Sequence, residues 1–366
     1  MVIYMQQNQL MKKTAICTLI FAICSFMVIF YYCANEVEFI VEDSQENTVQ
    51  KTDTAIQEGS SNKSEIFQNQ NSIIFEQNDQ EMSYFCVPLD ENVRAENVTI
   101  ENHYMDKELW ISINQENNKK KLEDFYRSQG VYGNRDAVVE GYFENGADTF
   151  WLKFKLADIY EYHSILEDSK LYIEFVSPKE VYDRIVVIDP AYGGEVTGAV
   201  SDRLEGKKIT LEVARALKEK LDETDIKVYY TRMDDSAPSD ENRIDLINAV
   251  KADMMIRIEV NEDEDTKVYG TEAVYNSKFF IPGFGSVELA DLLEKEVVTA
   301  ISGKANGLFA STAEDEVIEK SVVPAAAIRV GYISNGQEAI LLNRDDYIGK
   351  IAEGIYQAIL SVYDSY

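Results

Sequence analysis

Residues 185–194 run Ile185-Val186-Val187-Ile188-Asp189-Pro190-Ala191-Tyr192-Gly193-Gly194. Four consecutive β-favouring apolar residues halted by Asp-Pro and a glycine pair predict a strand buried on both faces that ends in a tight turn. Just beyond it, Ile209, Val213, Leu217 and Leu221 recur at helical spacing, and residues 227–231 return to a strand-like run. That order is a strand-helix-strand unit. Residues 254–258, 273–275 and 326–330 supply further strands, while 287–301 and 348–362 carry amphipathic helical patterns. The alternation over residues 182–366 predicts an α/β class, with a mostly parallel sheet covered by helices on both faces. Ligands of such sheets sit at the carboxyl ends of the strands.

Upstream, the period changes. Residues 84–87, 109–113, 137–143, 150–156 and 171–176 alternate with a period of two, so residues 81–178 are expected to form a small all-β domain, a sandwich of half-buried strands. Asn145-Gly146 between two of these runs predicts a hairpin turn, because that dipeptide tolerates positive φ. After the turn, Phe150, Leu152, Phe154 and Leu156 share one face and Lys153 and Lys155 the other.

Residues 34–80 are rich in Glu, Gln, Asn, Ser and Thr, with short apolar interruptions at 66–67 and 73–75. That composition predicts a disordered acidic linker. Residues 14–33 carry no charge and are long enough as a helix to cross a bilayer. Lys12 and Lys13 before them, with Glu36 after, leave residues 1–13 cytoplasmic and place the rest outside the cell membrane. The rival reading is a cleaved signal peptide starting near Met11, although the apolar stretch is long for one and no A-x-A-like site closes it. Lipidation of Cys33 is disfavoured by bulky Tyr31 and Tyr32.

The charge balance removes some functions. Lys and Arg total 35 against 65 Asp and Glu, a formal charge of -30, so nucleic acid is a poor candidate partner. Cys17, Cys24 and Cys33 fall in the apolar segment, which leaves Cys86 alone in a folded region and excludes a thiolate zinc site there. His103 and His163 are the only histidines, and both precede residue 182. Neither has a metal-ligand spacing partner, so surface or hydrogen-bonding roles are expected for them.

The α/β half resembles the zinc-dependent N-acetylmuramoyl-L-alanine amidases of bacterial cell-wall turnover. The likeness is colinear over about residues 185–363. Val186-Val187-Ile188-Asp189-Pro190-Ala191-Tyr192-Gly193-Gly194 and Gly198-Ala199 resemble the family's V-V-I-D-P-G-H-G-G and later G-A. Thr231-Arg232, Asp234 or Asp235, Arg243, Asn248 and Ala252-Asp253 are similar to its T-R-x-x-D, R and A-N-x-x-x-A-D stretch. Gly331-Tyr332-Ile333-Ser334-Asn335 and Leu341-Leu342 resemble G-F-I-S-N and the following L-L. The resemblance implies zinc held by His, Glu and His, with a second Glu activating water. Tyr192 stands at the first His position, Gly206 at the Glu position with Glu205 one place early, Glu259 at the second His position and Arg329 at the catalytic Glu position.

With no imidazole in this half, a His-bearing zinc site is excluded, and no cofactor is expected. A carboxylate-only metal site drawn from Asp189, Glu195, Glu205 or Glu259 is the remaining route to hydrolysis. The opposing expectation is electrostatic: Arg329 replaces the ion, reaching Glu259 and also Glu205, while Tyr192 fills an imidazole's space. Against both stands simple drift, with these side chains parted and solvated. Asn261 completes the candidate groove, whereas Asp189 and Arg232 suit turn and packing roles. The position of residues 81–178 resembles that of AMIN-type wall-targeting modules. A noncatalytic binder of peptidoglycan or a cell-wall protein, an active amidase with an atypical metal, and a scaffold therefore remain three distinct expectations.

Overall fold

The computed structural model describes residues 73–74, 84–114, 137–143, 149–201, 204–278 and 282–366. The expected cytoplasmic segment, the apolar stretch 14–33 and the Asn145-Gly146 turn lie outside these residues, as does all of the expected linker except residues 73–74. Among the described residues, no helix is long and apolar enough to cross a membrane.

The first eight strands are β1 (Ile73–Ile74), β2 (Tyr84–Pro88), β3 (Val98–His103), β4 (Glu108–Asn114), β5 (Ala137–Phe143), β6 (Thr149–Leu156), β7 (Glu161–Glu167) and β8 (Lys170–Val176). They form a five-stranded sheet in the order β1-β5-β6-β4-β3 and a three-stranded sheet in the order β2-β8-β7. Strands β5 and β6 pair antiparallel, with Phe143 opposite Phe150. The two sheets share one core, in which Phe150, Leu152, Phe154 and Ile111 meet Phe85, Val87, Leu171 and Ile173. Phe85 stands edge-on to Phe154, with ring centroids 5.1 Å apart. The structure corrects the expected extent of the linker: Ile73 and Ile74 pair with Gly141 and Glu140 of β5. Two adjacent β-branched residues are enough to extend a sheet that offers them an unpaired edge. Strands β3 and β7 were not anticipated; β7 buries only Glu161 fully and leaves most of its remaining side chains half-buried or exposed.

The α/β half comprises α1 (Pro178–Val181), β9 (Ile185–Pro190), β10 (Val200–Ser201), β11 (Leu204–Glu205), α2 (Gly206–Leu221), β12 (Lys227–Tyr230), α3 (Asp240–Ala249), β13 (Met254–Asn261), β14 (Thr271–Tyr275), α4 (Ser286–Ile301), β15 (Ala305–Ala310), α5 (Glu316–Glu319), β16 (Ala325–Tyr332), α6 (Gly336–Leu342) and α7 (Asp345–Ser365). Its main sheet has the order β12-β9-β13-β16-β14-β15. All neighbouring pairs are parallel except β14 against β16, which makes the sheet mixed.

Strand alternation sends Val186, Ile188, Ile256, Ile258 and Ile328 to one face, where they pack with α2, α4 and α7. Ile185, Val187, Met255, Ala325 and Ala327 point to the opposite face, beneath Leu246 and Ile247 of α3 and Val317 and Ile318 of α5. Further along these strands that second face turns polar, at Asp189, Arg257, Glu259, Asn261 and Arg329.

The β-rich half meets this sheet at its β12 edge. The Tyr104 hydroxyl donates to the Tyr230 carbonyl at 2.9 Å and accepts from the Tyr230 N–H at 3.1 Å, satisfying both backbone groups of one edge residue. Beside it, buried Glu161 accepts from the Tyr229 hydroxyl at 2.5 Å and pairs with Lys227 at 2.9 Å.

Candidate functional site

Strand register assembles the site. Arg257 lies beside Asp189 across β13 and β9, Glu259 beside Arg329 across β13 and β16, and Glu272 beside Arg329 across β14 and β16. Opposite charges are thereby set side by side across three strand pairs before any side chain turns.

Asp189 is fully buried and is one anchor of the row. It accepts from Arg243, Arg257 and, at 2.5 Å, the Thr231 hydroxyl. Burial would raise its pKa, but Arg257, Arg243 and the Thr231 hydrogen bond outweigh burial and pull it to about 2. Buried Arg232 stands close by. It donates to the carbonyls of Pro190, Ala191, Lys207 and Asp234, at 2.8 to 2.9 Å. Burial, then the neighbouring charge of Arg243, lowers its pKa to about 10, so it remains a cation at neutral pH. These two residues fix the turn after β9, in line with a packing role.

The turn itself is tight. Tyr192 holds φ at 69°, Gly193 and Gly194 are also positive, and Arg243 donates to the Tyr192 carbonyl at 2.8 Å. The Tyr192 ring lies so close over Gly198 that a Cβ there would come within 2.4 Å of it, and a Cβ on Gly206 would come within 3.3 Å. Two glycines therefore make the bed for this ring. The Tyr192 hydroxyl approaches the Val260 carbonyl at 3.4 Å. Burial, reinforced by the charge of Glu259, pushes its pKa well above the ordinary phenol value, which keeps it protonated.

Glu259 bridges two guanidinium groups: Arg257 Nε donates to one oxygen at 2.7 Å and Arg329 Nε to the other at 3.0 Å. Burial opposes its ionisation, but Arg257 and Arg329 prevail and lower its pKa. Arg329 has two more partners, Glu272 and Asp315, each 3.1 Å from a terminal nitrogen. Burial would lower its pKa, yet Glu259 and the hydrogen bonds to Glu259 and Glu272 raise it. Asn261 Nδ2 donates to Glu272 at 2.6 Å and the Tyr332 hydroxyl to its second oxygen at 2.9 Å.

Asp189, Tyr192, Glu259, Asn261 and Arg329 are thus brought together. Glu205 is not: it precedes α2 and pairs with Lys208 at 3.1 Å, away from Arg329. Its position one residue before the helix turns it toward its i+3 neighbour rather than along the strand row. Glu195 is exposed in the turn. Sequence reasoning missed Arg257, Glu272 and Asp315. Arg257 was findable, since it shares the strand face of Glu259 and Asn261 at a spacing of two. The two histidines sit far from the site: His103 stacks on Trp110 and meets Glu101 at 3.1 Å, and His163 is exposed, 3.7 Å from Glu174.

The zinc that the resemblance implies can be tested against these side chains. Both oxygens of Glu259 are bound by guanidinium groups, a cation already stands beside it, and the Tyr192 ring occupies the space into which a side chain at Gly206 would grow. Among the described residues, no group of three or more His, Cys, Asp or Glu is placed to hold a metal ion. The residues do not fit zinc.

The mixed six-stranded sheet between helical layers, with a polar row at the carboxyl ends of β9, β13 and β16, defines an α/β fold of the wall-amidase kind. Residues 186–361 match the family model described as N-acetylmuramoyl-L-alanine amidase. The protein YqiI of Bacillus subtilis is 31% identical over 181 residues, half of this chain and 85% of that relative. The germination-specific N-acetylmuramoyl-L-alanine amidase of the same organism is 29% identical over 196 residues, 49% of this chain and 80% of its own length. Among solved structures, the N-acetylmuramoyl-L-alanine amidase from Clostridium difficile 630 is similar, at 31% identity and a TM-score of 0.47 over 50% of this chain and 97% of its own. The chain belongs to the N-acetylmuramoyl-L-alanine amidase family.

Proposed function

We propose that the chain is a membrane-anchored, extracytoplasmic member of this family that does not hydrolyse peptidoglycan and instead binds it, or a cell-wall remodelling protein, through the former substrate groove. The observation that carries this reading is Arg329: a guanidinium tied to Glu259, Glu272 and Asp315 stands at the family's catalytic Glu position. A general base there would have to accept a proton, and a guanidinium with a raised pKa has none of that capacity. The anchor is residues 14–33 and the acidic linker follows it, with residues 81–178 as an AMIN-like module ahead of the amidase-like half. The charge of -30 favours recognition by shape and local contacts over adsorption to anionic wall polymers.

The full chain, purified in detergent, tests this by elemental analysis, release of stem peptide from peptidoglycan, and co-sedimentation with insoluble peptidoglycan. Retention on the wall without peptide release is the expected result. Stoichiometric metal together with turnover that a chelator abolishes would overturn it. Absence of wall binding would leave a protein partner as the occupant.

A further inference from the structure

The six-stranded sheet treats its two edges differently. Its β12 edge is closed by the Tyr104 hydroxyl, which satisfies both backbone groups of Tyr230. Its β15 edge is open: among the described residues, no strand pairs with the outer side of β15. Ser311 donates its N–H to the Tyr275 carbonyl at 2.9 Å, so by strand alternation Phe309 turns its backbone groups toward β14, while Leu308 and Ala310 turn theirs away from the sheet. Gly307, at φ 104°, lies within the register shift of the β14–β15 ladder, and Glu294 accepts its N–H at 2.6 Å. Regular edge is thereby confined to residues 308–310, where Phe309 is 46% exposed. Residues 305–313 carry no charge, Phe309 is their midpoint, and exposed Lys304 and Glu314 flank them with opposite signs.

We propose that β15 is a self-association strand: two copies of the chain pair their β15 edges antiparallel about a twofold axis through Phe309, so that one sheet runs through both. A twofold axis requires a strand complementary to itself. With Phe309 opposite the partner's Phe309, Leu308 faces the partner's Ala310 and Ala310 the partner's Leu308. Each of these pairs exchanges two hydrogen bonds through groups that already point outward. The Phe309 pair falls at a non-hydrogen-bonded position, where opposed side chains lie closest. At either end Lys304 meets the end of the run that carries the partner's Glu314, so a chain with a formal charge of -30 joins its copy along a stretch free of like charges. Any extended strand can use the backbone groups, but a second copy also supplies an uncharged run of matched length with acid and base at the complementary ends. The cap on β12 leaves this sheet one open edge per chain, so its growth stops at two copies instead of continuing into a filament. Pairing this short makes the dimer weak and reversible.

The test uses the full-length chain in detergent, with Cys17, Cys24, Cys33 and Cys86 replaced by Ser. Into it is introduced Phe309→Cys, Leu308→Cys, Ala310→Cys or, as an exposed control on α6, Ile340→Cys. Copper-phenanthroline oxidation is expected to link Phe309→Cys chains into dimers about tenfold faster than the other three, because identical cysteines at 308 or 310 sit diagonally, beyond disulfide reach. Sedimentation velocity over a concentration series reads the unlinked wild-type chain. Ala310→Pro, which removes an outward N–H that the fold does not use, should abolish the dimer while leaving the thermal midpoint within about 2 °C. That variant also separates β15 pairing from association through residues 14–33. Lys304→Glu should weaken the dimer about tenfold, since two exposed pairs are lost at once, and adding Glu314→Lys should restore it. Equal cross-linking at all four positions, or a dimer unchanged by Ala310→Pro, would overturn the pairing. A wild-type chain monomeric at every concentration would overturn it as well and leave the strand of another protein as the occupant of this edge.

Discussion

The two ends of the charge row are built differently. At the β9 end, Asp189, Thr231, Arg232 and Arg243 stand in family motif positions, are all buried, and bond to one another and to turn carbonyls. At the β16 end, Glu259 and Arg329 pair across neighbouring strands, and the partners of Arg329 include Glu272 and Asp315, which belong to no motif. The first end holds the turn; the second ties three strands and a loop together through one guanidinium. Side chains of the first end direct their hydrogen bonds to turn carbonyls as well as to one another, while those of the second direct theirs to opposite charges from neighbouring strands.

The sharpest way to break the comparison is at the β9 end. Replacing Asp189 by Asn leaves Arg243 and Arg257 without their buried anion, and a loss of about 3–5 kcal/mol in urea unfolding is expected. Acid probes the same residue. Its pKa of about 2 lies below the ordinary 3.8, so its contribution is complete above that ordinary value and is lost as pH falls toward 2. That contribution is on the order of 2–3 kcal/mol, and Asp189→Asn should flatten the pH dependence over this window.

Beside the turn after β9, Gly206→Glu pushes a side chain into the Tyr192 ring and should cost about 1–3 kcal/mol. Combining it with Tyr192→His should recover part of that loss, and a double-mutant cycle reads the coupling. Independence of the two changes would show that the ring is not seated on Gly206. Glu205→Gln, which touches only the exposed pair with Lys208, should change stability by less than about 0.5 kcal/mol.

The α/β half was legible because its strands contain continuous apolar runs and its helices have long stripes; the runs at residues 185–189, 254–258 and 326–330 all lie in central strands. The site was legible only where a motif pointed to it. Tyr192, Glu259 and Arg329 came from motif positions, but Glu272 and Asp315 depend on which strand lies next to β16 and how the chain loops before α5. Strand order and register between distant segments are tertiary facts, invisible to local periodicity. Strands β7 and β15 escaped for a related reason: their side chains are largely half-buried or exposed, so burial writes little pattern into them.

The Tyr104 hydroxyl that closes the backbone of Tyr230 has a practical consequence. A fragment trimmed to residues 182–366 would present the naked rim of β12, and with it the Tyr229 ring now covered by Tyr104 and Glu161. Such a rim invites chain-to-chain strand addition, so aggregation of the isolated fragment would report a missing cap and say nothing about the soundness of the amidase-like half.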